Sequence, residues 1–242
     1  MEFYYWEPQH LDKKKNIDNR YTNSDKALRH IQKREVSLNH MFNVFFRLAP
    51  SPLINFMHNA YYNEKINDNF TLQNRYSISQ FSALIQPDLL FNSNTINFSI
   101  EMKIEAKSSL EQVYKYALLH WLEQKHSAIS KQSYLFFIGK NDFSSLWKEK
   151  FPDIRTLKEN LQDFDNEALK VKVKRKEKIE VNWEEVDTIA NETKIAYCNY
   201  TNFSHLLKNY LSKVTSGCTA DETLHKLVLG LSDELERRGL VK

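Results

Sequence analysis

Residues 86–116 read QPDLLFNSNTINFSIEMKIEAKSSLEQVYKY, and the fold turns on them. Pro87-Asp88 lead into an apolar run, Leu89, Leu90 and Phe91, and Asn92-Ser93-Asn94-Thr95 is a polar turn cluster. From there Ile96, Phe98, Ile100, Met102 and Ile104 alternate with Asn97, Ser99, Glu101, Lys103 and Glu105. A period of two predicts a half-buried strand. Two such runs joined by four polar residues predict a hairpin. Pairing about Asn94 and Thr95 equates positions whose numbers sum to about 189, which sets Asp88 opposite Glu101.

That register places one carboxylate on each strand and a lysine two residues after the second. A hard dication such as Mg2+ takes oxygen ligands, commonly one or two protein carboxylates with water and substrate phosphate. Lys103 shares a strand face with Glu101, so its ammonium stands beside such a metal, where it holds a phosphate oxygen or helps activate water. The same face also fits a solvated edge of alternating charge. A second Glu-x-Lys, Glu105-Ala106-Lys107, offers a competing register. Glu101 and Lys103 are preferred, because the apolar run before them is longer and the hairpin closes better.

With Pro87-Asp88 followed by Glu101-Met102-Lys103, the stretch resembles the PD-(D/E)xK nuclease superfamily. The resemblance implies a restriction-endonuclease-like α/β core, a small mixed sheet flanked by helices. It implies a metal held by Asp88, Glu101 and the backbone carbonyl of Met102, with Lys103 as catalytic lysine. Gln112-Val-Tyr-Lys-Tyr116 is similar to the QxxxY element of the subset related to the exonuclease domain of recombination helicase-nucleases. Gln112 and Tyr116 stand four apart and share a helix face. Glu35, opening the apolar half of the first long helix, resembles by position a glutamate that many members direct at the metals; a surface glutamate fits it as well.

The chain has 242 residues, 41% hydrophobic and 27% charged, which suits one globular domain with a sizeable core. The formal net charge is +3, compatible with nucleic acid without being diagnostic. Four glycines argue against a glycine-rich phosphate loop. Two cysteines, Cys198 and Cys218, form no CxxC, and the eight histidines form no HxxxH, so zinc and Cys-His catalysis lack support. MEFYYWEPQH is no signal sequence and no run approaches a membrane span, so a cytoplasmic chain is expected.

Taken in order, residues 1–23 read as an arm, 24–210 as an α/β core and 211–242 as a helical element. A helix is expected from Ser24 or Asp25 to Pro50, and a second helix or helix-turn within 50–70. Residues 78–85 suggest a strand or its approach. After Ser108-Ser109, which look like a cap, Leu110, Val113, Ala117 and Trp121 form a helical stripe. Residues 133–138, SYLFFI, predict a buried strand parallel to the one ending near Lys103, since a helix lies between them. Helical pieces follow from Phe143 or Ser144 and over 154–161. Lys170, Lys172, Lys174, Arg175, Lys176 and Lys178 punctuate a segment read as a solvated strand or loop; in a nuclease, Lys172, Lys174 and Arg175 would meet phosphates. A helix over 183–189, a strand over 194–200, a helix capped by Thr201 or Asn202, and a last helix over 220–238 complete the reading.

The function expected is a Mg2+-dependent DNA endonuclease or exonuclease, Mn2+ being a possible substitute. Asp88, Glu101 and Lys103 would be catalytic, with Glu35, Gln112 and Tyr116 supporting. DNA is the expected partner, no membrane is involved, and a homodimer is allowed. The alternative is a catalytically inactive nucleic-acid-binding or interaction protein on the same fold.

Overall fold

A computed structural model describes residues 35–73, 87–176, 180–214 and 217–241. The anticipated arm, the helix before Glu35 and the strand over 78–85 lie outside them. The first two described helices are α1 (Glu35–Leu48) and α2 (Ser51–Tyr62). Strands β1 (Thr71–Leu72), β2 (Leu89–Asn92) and β3 (Ile96–Lys103) follow, then α3 (Leu110–Ser127) and β4 (Gln132–Gly139). Next come α4 (Phe143–Leu146), α5 (Ile154–Gln162), α6 (Glu167–Lys176) and α7 (Trp183–Glu192). The described chain ends with β5 (Lys194–Asn199), α8 (Tyr200–Leu211) and α9 (Thr219–Arg237).

The hairpin forms in the register that its alternation dictates: Leu89 faces Ile100 and Asn92 faces Asn97. Its turn is held by side chains. Ser93 Oγ accepts the Ile96 N–H at 2.9 Å, while Ser93 and Thr95 hydroxyls donate to Asp68 Oδ2 at 2.5 and 2.6 Å. Asp68 belongs to a loop strapped to α2 by residues at helical spacing. Asn55 exchanges hydrogen bonds with the Asp68 backbone, Asn59 with that of Ile66, and Ser51 accepts from Phe70 N. Four-residue steps put Ser51, Asn55 and Asn59 on one stripe, so one helix face fixes the loop that fixes the turn.

The five strands lie in the order β1-β2-β3-β4-β5. The first three are antiparallel; β3, β4 and β5 are parallel, Lys103 aligning with Gly139 and Gly139 with Asn199. The α3 crossover makes β3 and β4 parallel, as a strand–helix–strand unit requires. Helices cover both faces. Ile96, Phe98, Ile100 and Met102 pack with α1, α2, α8 and α9, while Leu135, Phe137 and Ile195 pack with α3 to α7.

Three expectations need correction. The strand over 96–103 is not half-buried: Asn97, Ser99 and Glu101 are buried as well, because α3 lies on that face. The basic segment is a helix rather than a strand or loop. Its Val-Lys alternation mimics period two, but Leu169 and Val173, four apart, are buried while Val171 is exposed. The cap of α8 is Asn199, whose Oδ1 accepts from Asn202 N at 2.8 Å, rather than Thr201 or Asn202. Ser109 does stand at the N-cap of α3, though its side chain makes no capping bond.

The last helix stops at Gly239, whose φ of 66° a β-carbon would oppose. Leu240 N reaches Leu235 O at 3.0 Å and Gly239 N reaches Glu236 O at 2.8 Å, closing the last turn.

Candidate active site

Extending the β2–β3 register by one pair places Asp88 opposite Glu101, at the end of the hairpin remote from its turn. Both carboxylates are buried, at 7% and 3% exposure. The next pair would set Pro87 against Met102. Proline has no N–H to give to a ladder, and the Asp88 side chain takes over as acceptor: Met102 N donates to Asp88 Oδ2 at 2.7 Å. In a ladder a residue's N–H and C=O face the same neighbour. The Met102 carbonyl therefore faces the Asp88 side, where position 87 offers it no donor. The Pro-Asp pair thus shapes the strand end as well as supplying a carboxylate.

The second carboxylate is held from α3. Tyr116 OH donates to Glu101 Oε2, and Gln112 Nε2 to Glu101 Oε1 at 3.4 Å. Lys103 Nζ lies 2.6 Å from Glu101 Oε1. Burial first, then the charges of Glu101 and Asp88, push the Tyr116 phenol well above its usual range, so it stays a donor. That Tyr116 lies in the field of both acids agrees with their sharing one face of the hairpin.

The contacts continue away from the site. His120 Nε2 meets Ser99 Oγ at 2.7 Å, Asn97 Nδ2 donates to the His120 carbonyl at 3.4 Å, and Asn92 Nδ2 to Glu123 Oε2 at 2.6 Å. Four helix residues rise about 6 Å and two strand residues about 6.6 Å. Tyr116 and His120 therefore step along α3 in time with Glu101 and Ser99 on β3, running the opposite way. This matching turns the polar face of β3 into a buried, hydrogen-bonded seam rather than a solvated one. Burial lowers the His120 imidazole to about 3, so it is neutral there.

Sequence reasoning missed Asn39, which donates from Nδ2 to Asp88 Oδ1. Its place, one turn after Glu35 in α1, was the available signal. Glu35 opens α1, and its side chain is outside the described ones. Of the expected basic contacts, Lys172 is paired with Glu111 Oε1 at 2.8 Å, next to Gln112; Lys174 is exposed; the Arg175 side chain is outside the described ones. The competing triplet does not continue the strand face. β3 ends at Lys103, and Glu105 and Lys107 lie beyond it, both exposed.

Family models, curated proteins and solved structures were compared with the chain, and none matches it. Among the described residues no helix is long and apolar enough to cross a membrane.

Proposed function

We propose that this chain is a metal-dependent deoxyribonuclease with a restriction-endonuclease-like core, hydrolysing phosphodiester bonds as an endo- or exonuclease. The observation that carries the reading is the register that sets Asp88 opposite Glu101, with Lys103, Gln112 and Tyr116 all reaching the Glu101 carboxylate. The donor set suits Mg2+: two carboxylates and the carbonyl of Met102 on the Asp88 side are all hard oxygens, with no sulfur or imidazole among them. Asp88, Glu101 and Met102 would hold the ion. When bound, it would lower the pKa of water and offset phosphate charge.

The chain's own groups do the rest. Asn39 and the Met102 N–H orient Asp88, and Tyr116 and Gln112 orient Glu101, so both carboxylates are set before substrate arrives. Lys103 brings a fixed positive charge to the place where the phosphorane-like transition state is most anionic. DNA would approach over the exposed strand ends, with Lys174 and Arg175 of α6 as further phosphate contacts.

The test is Mg2+-dependent cleavage of duplex and single-stranded DNA beside a binding assay in Ca2+. Lys103→Ala should cut at least about a hundredfold more slowly while still binding DNA. Asp88→Ala should also lose Mn2+ binding, read by calorimetry. Glu101→Ala should abolish cleavage and Glu105→Ala should spare it; the reverse pattern would move the site to the second triplet. A wild type that binds DNA in Ca2+ and cuts no substrate would leave the inactive binding protein as the better reading.

A further inference from the structure

A cleft of 390 Å³ lies at the C-terminal ends of β3, β4 and β5, next to the candidate carboxylates, though neither Asp88 nor Glu101 lines it. Lys103, Lys107, Lys140, Ser145 and Tyr197 are among the residues lining it. Lys103 reaches from this cleft to Glu101, so the cleft and the carboxylate pair share a wall.

We propose that this cleft is a phosphate subsite, in which Lys107 and Lys140 hold the backbone phosphate next to the one that is cut. The inference rests on the nuclease reading and adds to it a substrate-positioning role for two residues outside the motif.

Three observations support it. First, the cleft is a built feature. The Tyr197 ring lies over Gly139, where a β-carbon would come within 3.1 Å of it, and the Tyr197 hydroxyl donates to the Asn141 carbonyl. The strand end and the loop after it are thereby pinned to β5, and Lys140 sits between them.

Second, an anion can engage the cleft's lysines. Lys103 is already paired with Glu101, which leaves Lys107 and Lys140 beside Glu105 and Asp142. Asp142 is turned to its own helix, accepting from Ser145 N at 3.2 Å, and that bonding with Ser145 lowers its carboxyl below the usual range. Third, Lys107 and Lys140 are exposed and have no ion-pair partner among the described residues. Lys172, by contrast, is engaged by Glu111.

The role also explains the second Glu-x-Lys. Its lysine lies four residues beyond the end of β3 and lines the cleft, off the strand that carries Lys103.

The experiment is DNA binding in Ca2+ as a function of salt, with steady-state cleavage in Mg2+, for the full chain and three variants. The double variant Lys107→Ala/Lys140→Ala should make the slope of log K against log salt shallower by about 1.8 on duplex or about 1.4 on single-stranded DNA. Its KM should rise at least about tenfold with kcat within about twofold, because these contacts serve bound substrate and transition state alike. Lys107→Arg/Lys140→Arg should restore both slope and KM. Lys131→Ala, at the opposite end of β4, should change neither.

A wild type that cleaves, with the double variant matching it in slope and KM, overturns the subsite and leaves the nuclease standing. An equal loss in Lys131→Ala overturns it too, since diffuse surface charge would then account for the effect. If the wild type neither cuts nor binds any DNA, the nuclease reading falls and takes the subsite with it.

Discussion

Tyr116 is fully buried, and it places its hydroxyl on Glu101 while its ring fills the space between α3 and β3. Tyr116→Phe keeps the ring and removes the donor. A hydrogen bond to a charged group contributes about 1.5–3 kcal/mol, so urea unfolding should show a loss of that order. Cleavage should fall as well, because Glu101 would then be oriented by Gln112 and Lys103 alone. An unchanged midpoint and unchanged cleavage would show that the hydroxyl is not shared with Glu101. Asn39 allows a complementary test. Asn39→Asp sets a second carboxylate against Asp88, and two like charges in contact retain one proton to higher pH. The acid limb of the cleavage profile should therefore move upward; Asn39→Ala, which removes a hydrogen bond from the ionised carboxylate, should slow cleavage and move the limb the same way by a smaller amount.

The elements carry two further predictions. On α6, Val173 is buried and Val171 is 48% exposed. Val173→Ala should cost about 2 kcal/mol in transfer and cavity terms, and Val171→Ala should stay within about 0.5 kcal/mol. Equal costs would fit the strand that the Val-Lys alternation suggests rather than the helix. On α2, His58 is fully buried among the rings of Tyr62, Phe98 and Tyr134, at centroid distances of 4.7, 5.7 and 4.3 Å. Burial lowers its imidazole to about 4, outweighing the opposing pull of Glu64. The unfolded chain takes up a proton near pH 6.5 and the folded chain does not until about 4. Stability is thus whole above pH 6.5 and is lost as the pH falls toward 4, by up to about 3 kcal/mol. His58→Phe should make that part of the stability–pH curve, measured by urea denaturation, shallower by one proton's worth. His120, lowered to about 3, should leave a residual slope over the same interval and on down to about pH 3.

At the scale of the molecule, two cores share one sheet, and every strand residue of β3 contributes to one core or to the seam beneath α3. Neither helical layer can leave without exposing the strands on which the other rests. Trp121 and Trp147 are buried in the α3–α7 layer, and Trp183 packs against it, so fluorescence reports mainly that side. Fluorescence and far-ultraviolet circular dichroism should therefore give coincident urea transitions. A fluorescence transition that precedes the loss of helix would show the α3–α7 layer unfolding on its own.

Much of this arrangement was legible along the chain. The alternation of residues 96–104 and the four-residue turn before them sufficed for the β2–β3 register. They also sufficed for Asp88 facing Glu101, because a slip of one residue would turn Phe98 and Ile100 out of the core. Leu110, Val113, Ala117 and Trp121 marked the face of α3, and the crossover set β4 parallel to β3. Periodicity records which residues share a face and leaves open what will cover it. Only the tertiary structure decided that the polar face of β3 is buried, because Tyr116, His120 and Gln112 supply hydrogen bonds from a helix whose rise matches the strand. Only there does Leu169 pair with Val173 to make the basic run a helix, since burial against α3 and α7 outweighs a local Val-Lys pattern. Asn39 at Asp88 and Tyr197 over Gly139 join residues 49 and 58 positions apart. Contacts of that separation depend on how the layers stack, and no local pattern encodes the stacking.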